Sequence, residues 1–123
     1  MSQERLTFPK ALRLLERRDY MRVGHKGEKL MGKYVIIEYL PSAISLTRLG
    51  ITATKRYGKA HERNYFKRIV REVFRQAQHK IPKGYDCVVK PRSYAKEAAF
   101  ALIQAELEGL FLTLNLRLDV IDR

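Results

Sequence analysis

The chain has a single cysteine, Cys87, and no tryptophan among its 123 residues. One cysteine cannot form an intramolecular disulfide or supply a multi-cysteine zinc site, so a thiol-based framework is excluded. No apolar run approaches the roughly 18 residues that a membrane-spanning helix needs, and residues 1–5 lack the apolar core of a secretory signal peptide. We therefore expect one globular domain over 1–123, located in the cytoplasm, with a single core built from its 46% hydrophobic residues.

Acidic residues are few compared with basic ones. The chain has 13 Asp and Glu against 25 Lys and Arg, which gives a formal net charge of +12. An imbalance of this size predicts a polyanionic partner, such as a nucleic acid, or an anionic membrane surface. The three histidines, His25, His61 and His79, are too scattered along the chain to predict a metal site. Charge therefore predicts what the chain binds rather than a reaction that it catalyses.

Hydrophobic periodicity predicts an α/β fold, an α+β sandwich in which helices cover a small central sheet. The expected order is helix, two or three strands, helix, strand, helix. The helices are expected at 7–25, at 60–79 and from about 94 onward, and the strands at 33–40, 48–54 and 85–90. The last helix is expected to turn inward Ala98, Ala99, Leu102, Ile103 and Leu110. Residues 112–120 alternate apolar with polar side chains, so they fit either a continuation of that helix or an extra edge strand.

Residues 54–75 carry the strongest signal, a short basic loop followed by a helix whose two faces differ in chemistry. One narrow side of the helical wheel is apolar and consists of Phe66, Ile69, Val70, Val73, Phe74 and Ala77. The opposite side carries Lys67, Arg71 and Arg75 at i, i+4 and i+8, flanked by Asn64 and Arg68. Like charges at i, i+4 oppose helix formation by about 0.3 kcal/mol per pair. Their presence on an anchored helix predicts a polyanion at this face, with nucleic acid as the first candidate.

This segment resembles the signature of the bacterial ribonuclease P protein subunit. That signature is a strand ending in a basic pair, a short glycine loop, and then a helix with the pattern Ala-x-x-Arg-Asn-x-x-Lys-Arg-x-x-Arg-Glu-x-x-Arg. The matching residues here are Lys55-Arg56-Tyr57-Gly58, Ala60, Arg63-Asn64, Lys67-Arg68, Arg71-Glu72 and Arg75. Further similarity lies in Phe8-Pro9, Asp19-Tyr20, Arg48-Leu49-Gly50-Ile51 and Pro82-Lys83-Gly84-Tyr85-Asp86. The resemblance therefore covers about residues 6 to 92.

The resemblance implies a left-handed βαβ crossover that places the basic helix on one side of the sheet. It also implies a role in tRNA processing, as the protein subunit of a ribonucleoprotein endonuclease. That hydrolase, ribonuclease P, removes the 5′ leader from precursor tRNA. The partner RNA would perform the hydrolysis with Mg²⁺ that it holds itself, so no catalytic residue and no metal site are expected in the protein alone. The implied partners are the catalytic RNA and precursor tRNA, with no membrane and no obligate protein partner.

Two sets of site residues follow from the resemblance. The residues expected to bind the catalytic RNA are Lys55, Arg56, Arg63, Asn64, Lys67, Arg68 and Arg71. The cleft for the single-stranded leader is expected to involve Tyr20 and one face of the strand that contains Val35, Ile37 and Tyr39.

Three residues depart from the family pattern. Tyr65 stands where the family usually has a second arginine, so one phosphate contact is expected to be weakened. Gly24 occupies a position that is often aromatic, which leaves the cleft one stacking group short. Lys59 follows Gly58 where asparagine is common.

Three other functions compete with this one. A structural RNA-binding protein of the ribosomal type would share the basic helix without needing a leader cleft. A DNA-binding helix would enter a major groove, but strands rather than a helix-turn-helix pairing precede this helix. A protein nuclease needs clustered carboxylates, and Glu62 and Glu72 stand about 15 Å apart along a helix. Autonomous cleavage is therefore not expected.

Overall fold

The computed structural model describes residues 10–121, with side chains described up to residue 115. This part of the chain contains three α-helices, α1 (Arg17–Lys26), α2 (Ala60–Ala77) and α3 (Phe100–Ile121). It also contains four strands, β1 (Glu28–Met31), β2 (Val35–Pro41), β3 (Arg48–Ile51) and β4 (Tyr85–Pro91). Short 3₁₀ turns occur at Lys10–Leu12, Gln78–Lys80 and Ser93–Glu97. The mixed α/β class predicted from the sequence is confirmed.

The four strands form one sheet in the order β1-β2-β4-β3. β1 pairs antiparallel with β2, β2 pairs antiparallel with β4, and β3 pairs parallel with β4. Parallel neighbours cannot be joined by a tight turn, so the chain needs a crossover between them. Helix α2 provides that crossover, which fixes the basic helix against the sheet.

The two faces of the sheet have different covers because side chains alternate along each strand. Val35, Ile37 and Tyr39 of β2 belong to the main core, which also contains the apolar sides of α2 and α3. The opposite face contributes Val88 to a smaller core with Leu14 and Val23 under α1. All six apolar residues predicted for the inner side of α2 are buried.

The first helix is shorter than the sequence predicted. It begins at Arg17, and residues 7–9 of the predicted span lie outside the described part of the chain. Arg13 instead forms a parallel β-bridge with Leu49, and the Leu14 amide donates to the Leu49 carbonyl at 2.9 Å. β3 is an edge strand, so this segment satisfies backbone groups that a helix would leave open. β1 was not among the three predicted strands, because only one of its four residues is buried.

The last helix starts later than predicted, and its predicted inner side is confirmed in part. A 3₁₀ turn occupies Ser93–Glu97, and α3 then continues through the tail to Ile121, so the helical alternative for the tail holds. Of the residues expected inside, Ile103 is buried, and Ala98 and Leu110 are half-buried against the main core. Ala99 and Leu102 are exposed. The buried side of α3 consists of Ile103, Leu107, Phe111 and Leu114. The alternation of apolar and polar residues at 112–120 therefore does not correspond to a strand.

Glu106 of α3 stabilises the turn between β1 and β2 through hydrogen bonds to its backbone. Its carboxylate accepts backbone N–H bonds from Lys33 and Tyr34 at 2.7 Å each and from Val35 at 2.9 Å. Gly32 makes room for this contact, since a Cβ there would lie 2.4 Å from the Glu106 carboxylate. One side chain thus accepts hydrogen bonds from three consecutive backbone amides.

Replacing Glu106 by alanine is expected to lower the free energy of unfolding by about 2–3 kcal/mol, because charge-assisted bonds to three backbone amides are lost together. Urea denaturation followed by circular dichroism measures this change. Glu108→Ala on the exposed side of the same helix serves as the control. Equal losses in the two variants would contradict the anchoring role.

Candidate nucleic-acid interface

The start of α2 is built around a glycine and a glutamate. Glu62 Oε1 accepts a hydrogen bond from the Lys59 amide at 2.8 Å, and this bond lowers the pKa of Glu62. Arg63 Nε donates to the Gly58 carbonyl at 3.2 Å. A Cβ on Gly58 would lie 2.5 Å from Glu62 Oε1, so a larger residue there would force this carboxylate to shift. The basic loop is thereby held against the first turn of the helix.

The basic residues predicted to bind RNA lie together on this loop and along α2. Lys55, Arg56, Asn64, Arg68 and Arg71 are exposed, and Arg63 and Lys67 are half-buried. Among the described residues, no carboxylate forms an ion pair with any of the six basic side chains in this set. We refer to these seven residues as the α2 basic face.

Arg75, one turn further along α2, differs from the α2 basic face because a carboxylate pairs with it. Its guanidinium pairs with the Glu72 carboxylate, with Nε 3.2 Å from Oε1, and these hydrogen bonds lower the pKa of Glu72. Gln76 donates to the same carboxylate at 2.7 Å. The helix therefore neutralises its basic stripe near the C-terminus and leaves it charged nearer the N-terminus.

A groove of about 450 Å³ lies on the other side of the sheet, between α1 and strands β1, β2 and β4. Its walls come from α1 and its floor from the sheet. The residues that line it are Arg17, Tyr20, Met21, Gly24, His25, Lys29, Glu38, Thr52, Val88 and Lys90. We refer to it as the α1 groove.

Tyr20 connects the α1 groove with the α2 basic face. Its ring lies against Gly50, where a Cβ would come within 2.6 Å of the ring, and its hydroxyl donates to the Leu14 carbonyl at 3.2 Å. Besides lining the groove, Tyr20 lines a second cavity of about 250 Å³ that also contacts Lys67 and Arg71. The two surfaces therefore meet at one aromatic side chain.

Ile37 and Tyr39 were predicted to line the leader cleft, but their side chains lie on the other face of β2. Both side chains are buried in the main core beneath the helices, with 0% and 7% of their surface exposed. β2 contributes to the α1 groove through Glu38 instead. Apolar alternation shows which residues share a face, but it cannot tell which face receives which helix. A glutamate inside an otherwise apolar strand was the available signal.

An ion-pair network fixes α1 over the sheet. Asp86 of β4 is fully buried and accepts hydrogen bonds from Arg48 Nε at 2.9 Å, Arg48 Nη2 at 2.8 Å and Arg22 Nη2 at 2.5 Å. Asp19 of α1 lies 3.5 Å from Arg22 Nη2 and 3.9 Å from Arg48 Nη2. Burial alone would raise the pKa of Asp86, but the bonds from Arg48 and Arg22 outweigh it and lower that pKa.

Among the described residues, the buried thiol and the possible metal ligands do not form a further centre. Burial, followed by the neighbouring Asp86, raises the pKa of the Cys87 thiol to about 12, so it stays protonated. Within the part of the chain that the structure describes, no three His, Cys, Asp or Glu side chains group as metal ligands. Among the same residues, no helix combines the length and the apolarity that crossing a bilayer requires.

Comparison with known proteins decides the family. The family model described as Ribonuclease P matches residues 8–115. This chain belongs to the ribonuclease P protein family. A ribonuclease P protein component from Chlamydia trachomatis is 46% identical over 107 residues, covering 86% of this chain and 88% of the relative. One from Chlamydia felis is 43% identical over 90 residues, covering 72% of this chain and 64% of the relative, so the chain spans just under two thirds of that protein.

The fold agrees with solved members of the ribonuclease P protein family. The structure of the RNase P protein from Thermotoga maritima matches with a TM-score of 0.77 at 34% identity, covering 82% of this chain and 96% of that chain. The three departures from the family pattern also have places in the structure. Tyr65 is exposed on α2, Lys59 meets Glu62 through its backbone amide, and Gly24 borders the α1 groove.

Proposed function

We propose that this chain is the protein subunit of a ribonuclease P ribonucleoprotein that matures tRNA 5′ ends in the cytoplasm. The α2 basic face would bind the catalytic RNA, and the α1 groove would hold the 5′ leader of precursor tRNA. The observation that carries this proposal is the position of Tyr20, which lines both the groove and the cavity beside Lys67 and Arg71. A strand that leaves the groove along this side chain reaches the basic face directly.

The α2 basic face suits a phosphate backbone. Each Lys or Arg that meets a phosphate releases counterions, so about six contacts cost roughly 10³-fold in affinity between 50 and 200 mM salt. Arginine forks pair bidentately with phosphate oxygens, and the exposed amide of Asn64 can add directional hydrogen bonds. Since these cations lack ion pairs within the described residues, binding RNA need not break existing ones.

The α1 groove suits a single strand of variable sequence. Its volume lies within the usual range for ligand sites. Tyr20 and Met21 offer apolar surface, while Arg17, Lys29 and Lys90 bring positive charge to the same groove. Stacking of an unpaired base on an aromatic ring contributes about 1–3 kcal/mol and makes little demand on sequence. Leaders differ between precursors, so this kind of contact fits the task.

The chemistry of cleavage is assigned to the RNA and to Mg²⁺ held by that RNA. The two carboxylates closest to the α2 basic face already have partners, since Glu62 caps the helix and Glu72 binds Arg75 and Gln76. The protein's contribution is to bind and position the two RNAs.

Adding this protein to a bacterial ribonuclease P RNA is expected to restore precursor-tRNA cleavage at a low Mg²⁺ concentration at which the RNA alone is inactive. The readout is the initial rate with radiolabelled precursor, with protein-only and RNA-only reactions as controls. A precursor that lacks a leader should gain less affinity from the protein than one with a leader of about eight nucleotides.

Two other results would redirect the proposal. If the protein binds the RNA but never stimulates cleavage, it is a structural RNA-binding protein. If the protein cleaves the precursor alone, the chain has an active site of its own.

A further inference from the structure

Helix α3 is apolar on two opposite sides. One side, described above, packs into the main core. On the other side, four residues follow one another at intervals of three, four and three positions, so they form one stripe along the helix. All four are exposed, and they are Leu102, Ala105, Gly109 and Leu112. The two leucines have 50% and 57% of their surface in solvent. We refer to these four residues as the α3 outer stripe.

The charges on α3 are few and acidic. From 100 to 115 the helix has no lysine or arginine, and its acidic residues are Glu106 and Glu108. Glu106 is bonded to the turn between β1 and β2, so Glu108 is the charged residue left for the exposed side in this range. A helix that is apolar all round is normally buried all round. A surface so poor in charge is typical of the centre of a protein–protein interface.

Gly109 lies in the middle of the α3 outer stripe, and the fold does not require a glycine there. Glycine is unfavourable in a helix interior compared with alanine. A Cβ at this position would meet no atom within 4 Å, so no described neighbour needs its absence. A cavity of about 560 Å³ opens beside it, bordered by Ala105, Leu112 and the oppositely charged Lys80 and Glu108. A glycine below open space lets the backbone of another helix come close.

The α3 outer stripe is complementary to itself. Leu102 and Leu112 stand five positions to either side of residue 107, and Ala105 and Gly109 stand two positions to either side. If a twofold axis passes beside residue 107, two antiparallel copies of α3 pair leucine with leucine and alanine with glycine. The small residues meet at the centre, where the two helices come closest, and the leucines pack at each end.

We propose that the α3 outer stripe is a homodimer interface, in which two copies of this chain pack α3 against α3 in antiparallel orientation. The stripe shares no residue with the α2 basic face or with the lining of the α1 groove. Both surfaces therefore stay accessible in each copy of the dimer. This inference goes beyond the function proposed above and does not depend on it.

The size and charge of the contact determine its strength. About three turns of one helix pair bury less than the roughly 1,200 Å² of a standard-size interface, so we expect a weak dimer with a Kd of about 10–100 µM. Lys80 and Glu108 at the border of the cavity offset each other in charge. Each copy still has a net charge of +12, so raising salt from about 50 to about 200 mM should tighten the dimer about threefold by screening repulsion.

The test is sedimentation equilibrium of the full chain without RNA, from about 5 to about 300 µM, which spans the expected Kd. Gly109→Leu should weaken the dimer at least tenfold because its side chain blocks the close approach of the helices. The monomer should stay folded, since the space at this position is open. If the stripe were only a sticky apolar surface, the added leucine would strengthen association instead and overturn the proposal.

A matched pair of charged variants tests the location of the contact. Leu112→Glu should abolish the dimer over the same concentration range. Ile44→Glu places the same charge on an exposed apolar residue between β2 and β3, where 45% of the surface is in solvent, and should leave the Kd unchanged. Equal losses in the two variants would mean that net charge rather than the α3 outer stripe controls association, which overturns the proposal.

Cysteine cross-linking tests the antiparallel register. Ala105→Cys and Gly109→Cys are prepared separately and then mixed under oxidising conditions. Disulfide-linked dimers should form in the mixture and not in either variant alone, because the twofold axis brings position 105 to position 109 of the other copy. Two copies of the same position stand further apart than the roughly 7 Å that a disulfide spans between Cα atoms. Cys87 is fully buried, so it does not compete.

Two further results would overturn the proposal. One is a wild-type chain that remains monomeric at about 300 µM, and the other is cross-linking of each cysteine variant with itself. None of these measurements uses ribonuclease P RNA or precursor tRNA. Failure of the proposed function therefore leaves the dimer unaffected, and absence of the dimer leaves the proposed function unaffected.

Discussion

Replacing Lys67 and Arg71 together by alanine is expected to weaken binding of the catalytic RNA by about 10²-fold at physiological salt, since each contributes a charge-assisted phosphate contact. The slope of log affinity against log salt should become shallower by about two. Both side chains border the cavity beside Tyr20, so the double variant acts where the two surfaces meet. Filter binding across a salt series gives both quantities.

The matched control for this prediction is Lys80→Ala with Lys83→Ala, which removes the same charge from exposed positions beyond the C-terminal end of α2. We expect that pair to reduce affinity much less, through long-range attraction alone. If the two double variants weaken binding equally, total charge rather than the α2 basic face determines affinity.

Replacing Asp86 by alanine is expected to lower the free energy of unfolding by about 3–5 kcal/mol, because Arg22 and Arg48 lose the buried carboxylate that joins them. A loss of that size is a large part of the stability of a small domain. Urea denaturation measures it. Asp19→Ala, which removes only the longer contacts of the same network, should cost about 1 kcal/mol or less.

The ion-pair network around Asp86 also predicts how the free energy of unfolding changes in acid. The folded-state pKa of Asp86 lies below its ordinary value of about 4, so its stabilisation is complete above that pH. It is lost as pH falls through the lower folded-state pKa. The stability difference between the wild type and Asp86→Ala should therefore narrow in acid and stay constant between about pH 5 and 7. A difference that persists unchanged at pH 2 would contradict the ionic account.

Those elements that depend on nearby residues were predictable from the sequence. The apolar and basic sides of α2 follow from a 3.6-residue repeat that needs no distant partner, and all six apolar positions are buried as expected. The basic loop that leads into this helix was also predicted, whereas the contact between Gly58 and Glu62 that holds it was not. The family resemblance then connected this local pattern to a fold and a partner.

The α1 groove, on the other face of the sheet, could not be predicted from the sequence in the same way. The face of β2 that meets α2 and α3 depends on register with β4 and on how the crossover helix packs, so Ile37 and Tyr39 were assigned to the wrong side. The same pairing brings Lys29, Glu38 and Lys90 together from three strands. None of these three was predicted as a site residue.

The sequence by itself determined the basic helix and the mixed α/β composition, because composition and helical periodicity are local properties of the chain. It also predicted the class of partner. Only the tertiary structure decided where the groove lies, what forms its floor and how Asp86 ties α1 to the sheet. Those features join residues that are far apart in the chain, such as Arg22 and Asp86, which are 64 positions apart. Contacts over such distances depend on strand register and helix packing, which leave no periodic signal in the sequence.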